Sequence, residues 1–241
     1  MGGAFIRAVV LKRDEVDDFD HYPFSIPAVR QLDELPLDSA VTLLSGENGS
    51  GKSTLTEAIA VAAGFNAEGG SQHMTVSTRP SHSALHRYLR LVRGTTRPRT
   101  GYFLRAETFF TIATYVEQVP DAVASHGGRS LHEQSHGESF ISLVVHRFGP
   151  KGLYILDEPE AALSMRGQLA LMRRMHDLIA EGSQFVISTH SPVLLGYPGA
   201  TIYVLSDDGI AATPYEDTEV VELTRSFLGG REQFLRHLFE D

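Results

Sequence analysis

Nine consecutive residues, Gly46-Glu47-Asn48-Gly49-Ser50-Gly51-Lys52-Ser53-Thr54, have the composition of a phosphate cradle. They fit G-x-x-x-x-G-K-[ST]. A polyphosphate needs many hydrogen-bond donors aimed at one point. Glycines let backbone N–H groups converge where side chains would crowd. In this pattern Lys52 reaches the β- and γ-phosphates, and the Ser53 hydroxyl ligates Mg²⁺. A helix starting near Ser53 adds the positive end of its dipole. A second group, Asp157-Glu158, closes an apolar run with two adjacent carboxylates. A strand placed beside the phosphate-loop strand brings Asp157 within reach of Mg²⁺. The plainer alternative is an acidic turn behind a core strand.

Other residues carry chemistry only in context. Ser135 and Glu138 form S-x-x-E ahead of Phe140-Ile141-Ser142-Leu143, the capping-box pattern, so Ser135 starts a helix. That N-terminus offers a hydroxyl, free N–H groups and a positive dipole, although a helix start needs nothing more than a cap. Tyr22 lies about two dozen residues before the loop. It either stacks on an adenine ring or packs as a turn aromatic on the core. His82 and His86 stand four apart, a spacing that suits a metal, but no third ligand accompanies them.

The elements that must position these groups are legible. Ala40 to Leu44 is a buried strand ahead of the loop, and Leu55, Ile59 and Ala63 mark a helix behind it. Phe5 to Leu11 is a first strand, and Tyr102 to Glu107 a strand ending in a polar residue. Ser81 to Arg93 has Leu85, Tyr88, Leu89 and Val92 at helical spacing, which predicts a helix. Thr111 to Gln118 is a further helix. Leu153 to Leu156 is an apolar strand, Gln168 to Ala180 an amphipathic helix, and Gln184 to Thr189 a strand ending at His190. Thr201 to Leu205 is another strand, and two helices, Thr218 to Leu228 and Arg231 to Phe239, close the chain.

The chain has 241 residues, 42% hydrophobic and 21% charged, enough for one α/β domain with a full core. It has no cysteine, which excludes disulfides and thiol catalysis. No apolar run approaches the ~18 residues that span a bilayer, and no signal-peptide pattern opens the chain. The expected location is the cytoplasm. The net charge is −9, yet residues 69–106 hold seven arginines and no acid. An acidic chain with one basic segment does not coat nucleic acid generally, but it can touch an anionic partner locally. Arg87, Arg90 and Arg93 are either a solvated face or a phosphate-contacting surface.

Taken together, the loop, the Ser135 helix start, Asp157-Glu158 and His190 resemble the ABC-type ATPase superfamily over nearly the whole chain. The runs Leu104-Arg105-Ala106-Glu107, His132 to Ser139 and Asp157-Glu158-Pro159-Glu160-Ala161-Ala162-Leu163-Ser164 resemble stand-alone prokaryotic ATPases filed near the SMC and double-strand-break-repair branch. The resemblance implies a P-loop NTPase fold with a core sheet lobe, about 1–106 and 150–241, and a small helical lobe, about 107–149. It implies ATP hydrolysis with Mg²⁺. Asp157 then supports the ion, Glu158 activates the attacking water, and His190 contacts the γ-phosphate. Ser135, Gly137 and Glu138 stand where the family writes LSGGQ and closes over ATP in a second subunit, which implies a homodimer on ATP binding. His136 and Glu138 depart from that motif, and Ser164 replaces the aspartate of the turn after the acids. Glu107 takes the place of the family's glutamine after the third main strand. The resemblance leaves three roles open: a soluble ATPase of DNA maintenance or defence, the motor subunit of a transporter, or a nucleotide-sensing module with little turnover.

Overall fold

The computed structural model describes residues 4–71, 83–109 and 136–240. Among these, two sheets and seven α-helices build the chain. A six-stranded sheet is made of β3 (Val41–Gly46), β5 (Thr100–Arg105), β6 (Gly152–Asp157), β7 (Gln184–Ser188), β8 (Thr201–Ser206) and β9 (Gly209–Ala212). Its spatial order is β5-β6-β7-β3-β8-β9. The first five strands are parallel, and β9 closes the edge antiparallel to β8. Runs such as Leu153-Tyr154-Ile155-Leu156 are apolar throughout because parallel strands are covered on both faces.

Alternate residues serve opposite layers. Leu44, Leu153, Ile155 and Val186 face one core, which is shared with α2 (Lys52–Ala63) and a three-stranded antiparallel sheet. That small sheet has β1 (Ile6–Leu11) between β2 (Glu34–Pro36) and β4 (Leu89–Arg93). The short helix α1 (Pro27–Arg30) supplies Ala28 and Val29 to the same core. Leu43, Tyr154, Leu156, Phe185 and Ile187 face the other core. It is covered by α3 (His136–Arg147), α4 (Met165–Ala180), the one-turn α5 (Pro192–Leu195) and α6 (Glu219–Gly229). The last helix, α7 (Arg231–Glu240), follows α6. Helix α2 lies between the two sheets and buries eight of its twelve residues, including Lys52 and Glu57.

Three sequence expectations change. Residues 83–93 are not a helix: a 3-10 turn, Ala84–Tyr88, leads into β4, which pairs with β1. Leu85, Tyr88, Leu89 and Leu91 still reach the core. The open edge of β1 offers a ladder that satisfies the backbone, so pairing overrides a helical spacing. The strand of the acids is also not the neighbour of the phosphate-loop strand, because β7 lies between them. Helix α4 begins at Met165, ahead of Gln168, because the Ser164 hydroxyl accepts the N–H of Gly167 and caps it there. The predicted helix over Thr111 to Gln118 lies outside the described residues.

One side chain joins the two sheets. Gln184, 2% exposed at the start of β7, accepts from the N–H groups of Phe5 and Ile6 at 2.9 and 3.0 Å. Its amide donates to the carbonyls of Ile6 and Leu37, both at 2.8 Å.

Candidate functional site

The parallel strands β3, β6 and β7 end at one edge of the sheet, and the candidate residues stand on the loops that leave it. The loop after β3 is closely walled. Gly46 has φ +144°, and a Cβ there would stand 2.3 Å from the Leu205 carbonyl of β8. Gly51 has φ +96° at the cap of α2, where a Cβ would stand 2.6 Å from Ile26 Cγ2. Only glycine fits both conformation and space. Glu47, Asn48 and Gly49 are exposed at the tip, while Ser53 and Thr54 lie half-buried in the first turn of α2. Lys52 is 3% exposed, and its ammonium donates to the carbonyls of Gly46 at 2.9 Å and Glu47 at 2.7 Å. Burial pulls its pKa down; the negative charges of Glu158, Asp157 and Glu160 oppose this. Those three acids therefore lie within electrostatic range of the loop.

Asp157 is the last residue of β6, and both of its oxygens are engaged. Oδ1 accepts the Ser188 hydroxyl at 2.5 Å, and Oδ2 lies 3.4 Å from Arg105 Nε. Arg105, the last residue of β5, also donates from Nη1 to Glu57 Oε2 of α2 at 2.7 Å. Glu158 adopts φ 50°, ψ 51°, the left-handed region, which costs a non-glycine residue on the order of 1–3 kcal/mol. The conformation turns the chain sharply off the strand, with the Glu158 N–H held by the Ser188 carbonyl at 3.0 Å. Its carboxylate stands 3.5 Å from His190 Nε2. Glu160 accepts the main-chain N–H of His190 at 2.5 Å. Burial pushes its carboxyl above the usual range, while hydrogen bonds from His190 and Thr189 work the other way.

Among the described residues, seven buried side-chain polar atoms make no hydrogen bond, and four belong to this region: Ser50 Oγ, Arg105 Nε, Glu160 Oε2 and His190 Nε2. Buried polar atoms without a hydrogen bond are costly and call for an explanation. A polar, anionic ligand with accompanying cation explains such a cluster. The oxygen donors present, the Ser53 hydroxyl and the Asp157 carboxylate, suit a hard cation. No group of three or more His, Cys, Asp or Glu poised for a metal occurs among the described residues, so phosphate oxygens and water would complete its shell. Mg²⁺ tolerates few protein ligands and fits that arrangement.

The remaining candidates divide. Tyr22 is 65% exposed, and its hydroxyl lies 3.4 Å from Thr54 Oγ1, so it stands beside the loop helix; Phe24 is the neighbour that packs on the core. Glu107 is exposed just past β5, with a carboxylate oxygen 3.6 Å from Arg105 Nη2. Ser135 lies outside the described residues. Gly137 and Glu138 are in the first turn of α3, and a Cβ on Gly137 would stand 3.4 Å from the Ala162 carbonyl, so this helix start abuts the turn after the acids. Arg87, Arg90 and Arg93 are exposed on the 3-10 turn and β4. His86 Nδ1 lies 3.1 Å from the Ser83 carbonyl, and His82 is outside the described residues. Sequence reasoning missed Glu57, Glu160 and Ser188. Glu57 follows Ser53 by one helical turn, a spacing that places both on one face of α2. Nothing periodic marks the other two.

Comparisons with known proteins bear on the family and the fold. Residues 129–196 match the family model described as "AAA domain, putative AbiEii toxin, Type IV TA system", and residues 24–92 match one described as "AAA domain". The cytochrome c biogenesis ATP-binding export protein CcmA of Rhodopseudomonas palustris (strain HaA2) is 32% identical over 166 residues, covering 62% of this chain and 78% of that one. A "Putative ABC transporter ATP-binding protein" of Methanothermobacter thermautotrophicus is 38% identical over 103 residues, which span 40% of this chain and 37% of that relative. Two solved structures share the fold. One is an inward-facing "putative metal-chelate type ABC transporter", with TM-score 0.52 and 15% identity over 95% of this chain and 90% of that one. The other is cbiO1 from Clostridium perfringens, part of the ABC transporter complex cbiONQ. It has TM-score 0.50 and 14% identity over 98% of this chain and 100% of that one.

Proposed function

The chain belongs to the ABC-type P-loop ATPase superfamily, and on that premise we propose that it binds ATP with Mg²⁺ and hydrolyses it in a two-chain sandwich. The observation that carries this reading is the buried Lys52 ammonium, held by the Gly46 and Glu47 carbonyls at the sheet edge where the strand of Asp157 also ends. Phosphoryl transfer passes through a loose transition state, so the protein contributes position and charge. Lys52 and the loop from Gly46 to Thr54 hold the phosphates. Ser53 and Asp157 hold the ion, which when bound neutralises charge on the transferring group. Glu158, turned off the end of β6, orients the attacking water and takes its proton. His190 contacts the terminal phosphate, and Tyr22 stacks on the base. Glu107 senses the ion from the end of β5. Residues 107–149 form the helical lobe that presents Ser135, Gly137 and Glu138 to the partner chain's nucleotide, against a core lobe of residues 1–106 and 150–241.

The cycle serves defence or DNA maintenance in this reading; the toxin-related description of the family model that matches residues 129–196 favours defence. The names of the transporter relatives favour a second role, as the ATP-binding motor of a membrane partner. No helix among the described residues is long and apolar enough to cross a membrane. Co-purification with a membrane protein distinguishes the two roles.

Phosphate release and thermal unfolding test the enzymology. A ligand that binds only the folded chain adds about 2.7 kcal/mol at roughly 100 Kd. Glu158→Gln is expected to keep that rise with ATP·Mg²⁺ while losing about 10²–10⁴-fold in turnover. Lys52→Ala is expected to lose both. Full turnover in Glu158→Gln, or an equal rise in Lys52→Ala, overturns the reading.

A further inference from the structure

His190 stands on a loop that other elements hold from both sides. Ahead of it, the Thr189 N–H donates to the Leu44 carbonyl of β3 at 2.9 Å. At His190 itself, Glu160 takes the main-chain N–H at 2.5 Å. Behind it stands Ser191, 6% exposed. Its hydroxyl accepts the N–H groups of Val193 and Leu194 at 3.1 and 3.2 Å, which caps α5, and donates to Gln168 Oε1 of α4 at 2.5 Å. A hydroxyl has one proton and two lone pairs, so that of Ser191 is fully used. Gln168 Nε2 in turn donates to the Leu163 carbonyl at 3.3 Å. Leu163 closes the turn that Glu158 opens. The direction of the amide is forced, because a carbonyl only accepts: Leu163 takes the NH₂, and the oxygen is left for Ser191.

We propose that Gln168 is a positioning residue for His190. Its amide bridges the turn that carries Glu158 and the chain just past His190, so that carboxylate and imidazole stay opposed at 3.5 Å. The proposal rests on the hydrolysis reading above, in which Glu158 orients water and His190 contacts the terminal phosphate. Its physical basis is the backbone. Thr189 and Glu160 hold the loop up to the His190 nitrogen. The two soft torsions of His190 come next and set where its side chain leaves the chain. Ser191 is the first residue beyond them, and pinning it fixes both. Its N–H bond to the Thr189 hydroxyl, 3.0 Å, lies within the loop, whereas Gln168 refers the loop to the turn of Glu158. The bridge stands on rigid ground. Gln168 lies in the first turn of α4, and its own N–H donates to the Ser164 carbonyl at 2.9 Å. The task needs a donor and an acceptor on one side chain. Methionine, of similar length, has no donor and only a weak acceptor.

Steady-state phosphate release by the full chain, read as kcat and KM for ATP, tests this. Gln168→Met is expected to lower kcat about 10–100-fold, the cost of a small misplacement made away from the chemistry. KM and the thermal rise with ATP·Mg²⁺ are expected to change little, because the phosphate loop is untouched. A residue that only stabilised the fold would lower Tm and leave kcat of the folded protein alone. Ser191→Ala breaks the same bridge from its other end and is expected to lower kcat by a similar factor. The double variant is expected to be no slower than the slower single one, since one bridge cannot be broken twice. A folded Gln168→Met, checked by circular dichroism, with wild-type kcat overturns the proposal, and so do losses that multiply in the double variant. If Gln168→Met does not fold, an unchanged kcat in Ser191→Ala overturns it. Those outcomes need an active wild type and leave the hydrolysis reading standing; wild type that releases no phosphate overturns that reading, and the proposal with it.

Discussion

The carboxylate of Glu160 accepts a 2.5 Å hydrogen bond from the main-chain N–H of His190, thirty residues away across the end of β7. The turn after β6 is thereby tied to the loop after β7, and Glu158 and His190 face each other at 3.5 Å. The tie uses a half-buried acid whose other oxygen is itself buried and makes no hydrogen bond.

That burial has a pH signature. Desolvation raises the Glu160 carboxyl in the folded chain, so the folded protein binds more protons than the unfolded one between the two pKa values. Its penalty is absent below the ordinary carboxyl range and complete above the raised one. Glu160→Gln keeps an oxygen acceptor for His190 and removes the charge. The variant is expected to melt above wild type at pH 8, by about 2–4 °C for each kcal/mol gained, with the gap closing as the pH falls toward 4. Melting curves across that range check it, and a pH-independent gap counts against the argument.

The glutamine joining the two sheets should dominate stability. Gln184→Leu leaves the N–H groups of Phe5 and Ile6 and the carbonyls of Ile6 and Leu37 without their buried partner. Each unsatisfied group costs about 1–3 kcal/mol. We expect a loss of at least about 3 kcal/mol in urea unfolding and a fall in Tm of roughly 6–12 °C. A loss under about 1 kcal/mol would mean that the amide is dispensable.

Composite sites predict complementation. Lys52→Ala and Ser135→Arg should each be nearly inactive alone. Mixed, they form a dimer with one intact site and one doubly broken site, and activity returns to about half the wild-type rate per mixed dimer if the sites act independently. Light scattering of Glu158→Gln with ATP measures the dimer itself. A monomer at every ATP concentration, with full activity in Ser135→Arg, leaves Ser135 as a helix cap worth ~1 kcal/mol.

The exposed arginines give a binding test. If Arg87, Arg90 and Arg93 contact a polyanion, DNA or RNA binding should weaken steeply with salt, because each phosphate contact releases counterions. Changing all three to Glu should weaken binding and flatten the salt slope. Wild type that binds neither nucleic acid at ~50 mM salt, with or without ATP, makes the segment an ordinary solvated edge.

The sequence by itself determined the local chemistry of this protein. Glycine spacing around Lys52 dictates a loop that only glycine can follow, and Gly46 and Gly51 meet that demand in the fold. Largely apolar runs announce β3 and β6, and an abrupt change to Asp157-Glu158 announces where β6 ends. Tertiary structure decided what meets what. Hydrophobic spacing reports burial and is silent on partners, so residues 89–93 read as helix until the edge of β1 claimed them as a strand. Strand order is likewise absent from local pattern, and β7 separates the acids from the loop strand. Glu57 and Arg105 are 48 residues apart, Gln184 and Phe5 179 apart. Such pairs exist because a buried charge or amide must find a partner wherever the packed chain brings one, and only packing chooses which.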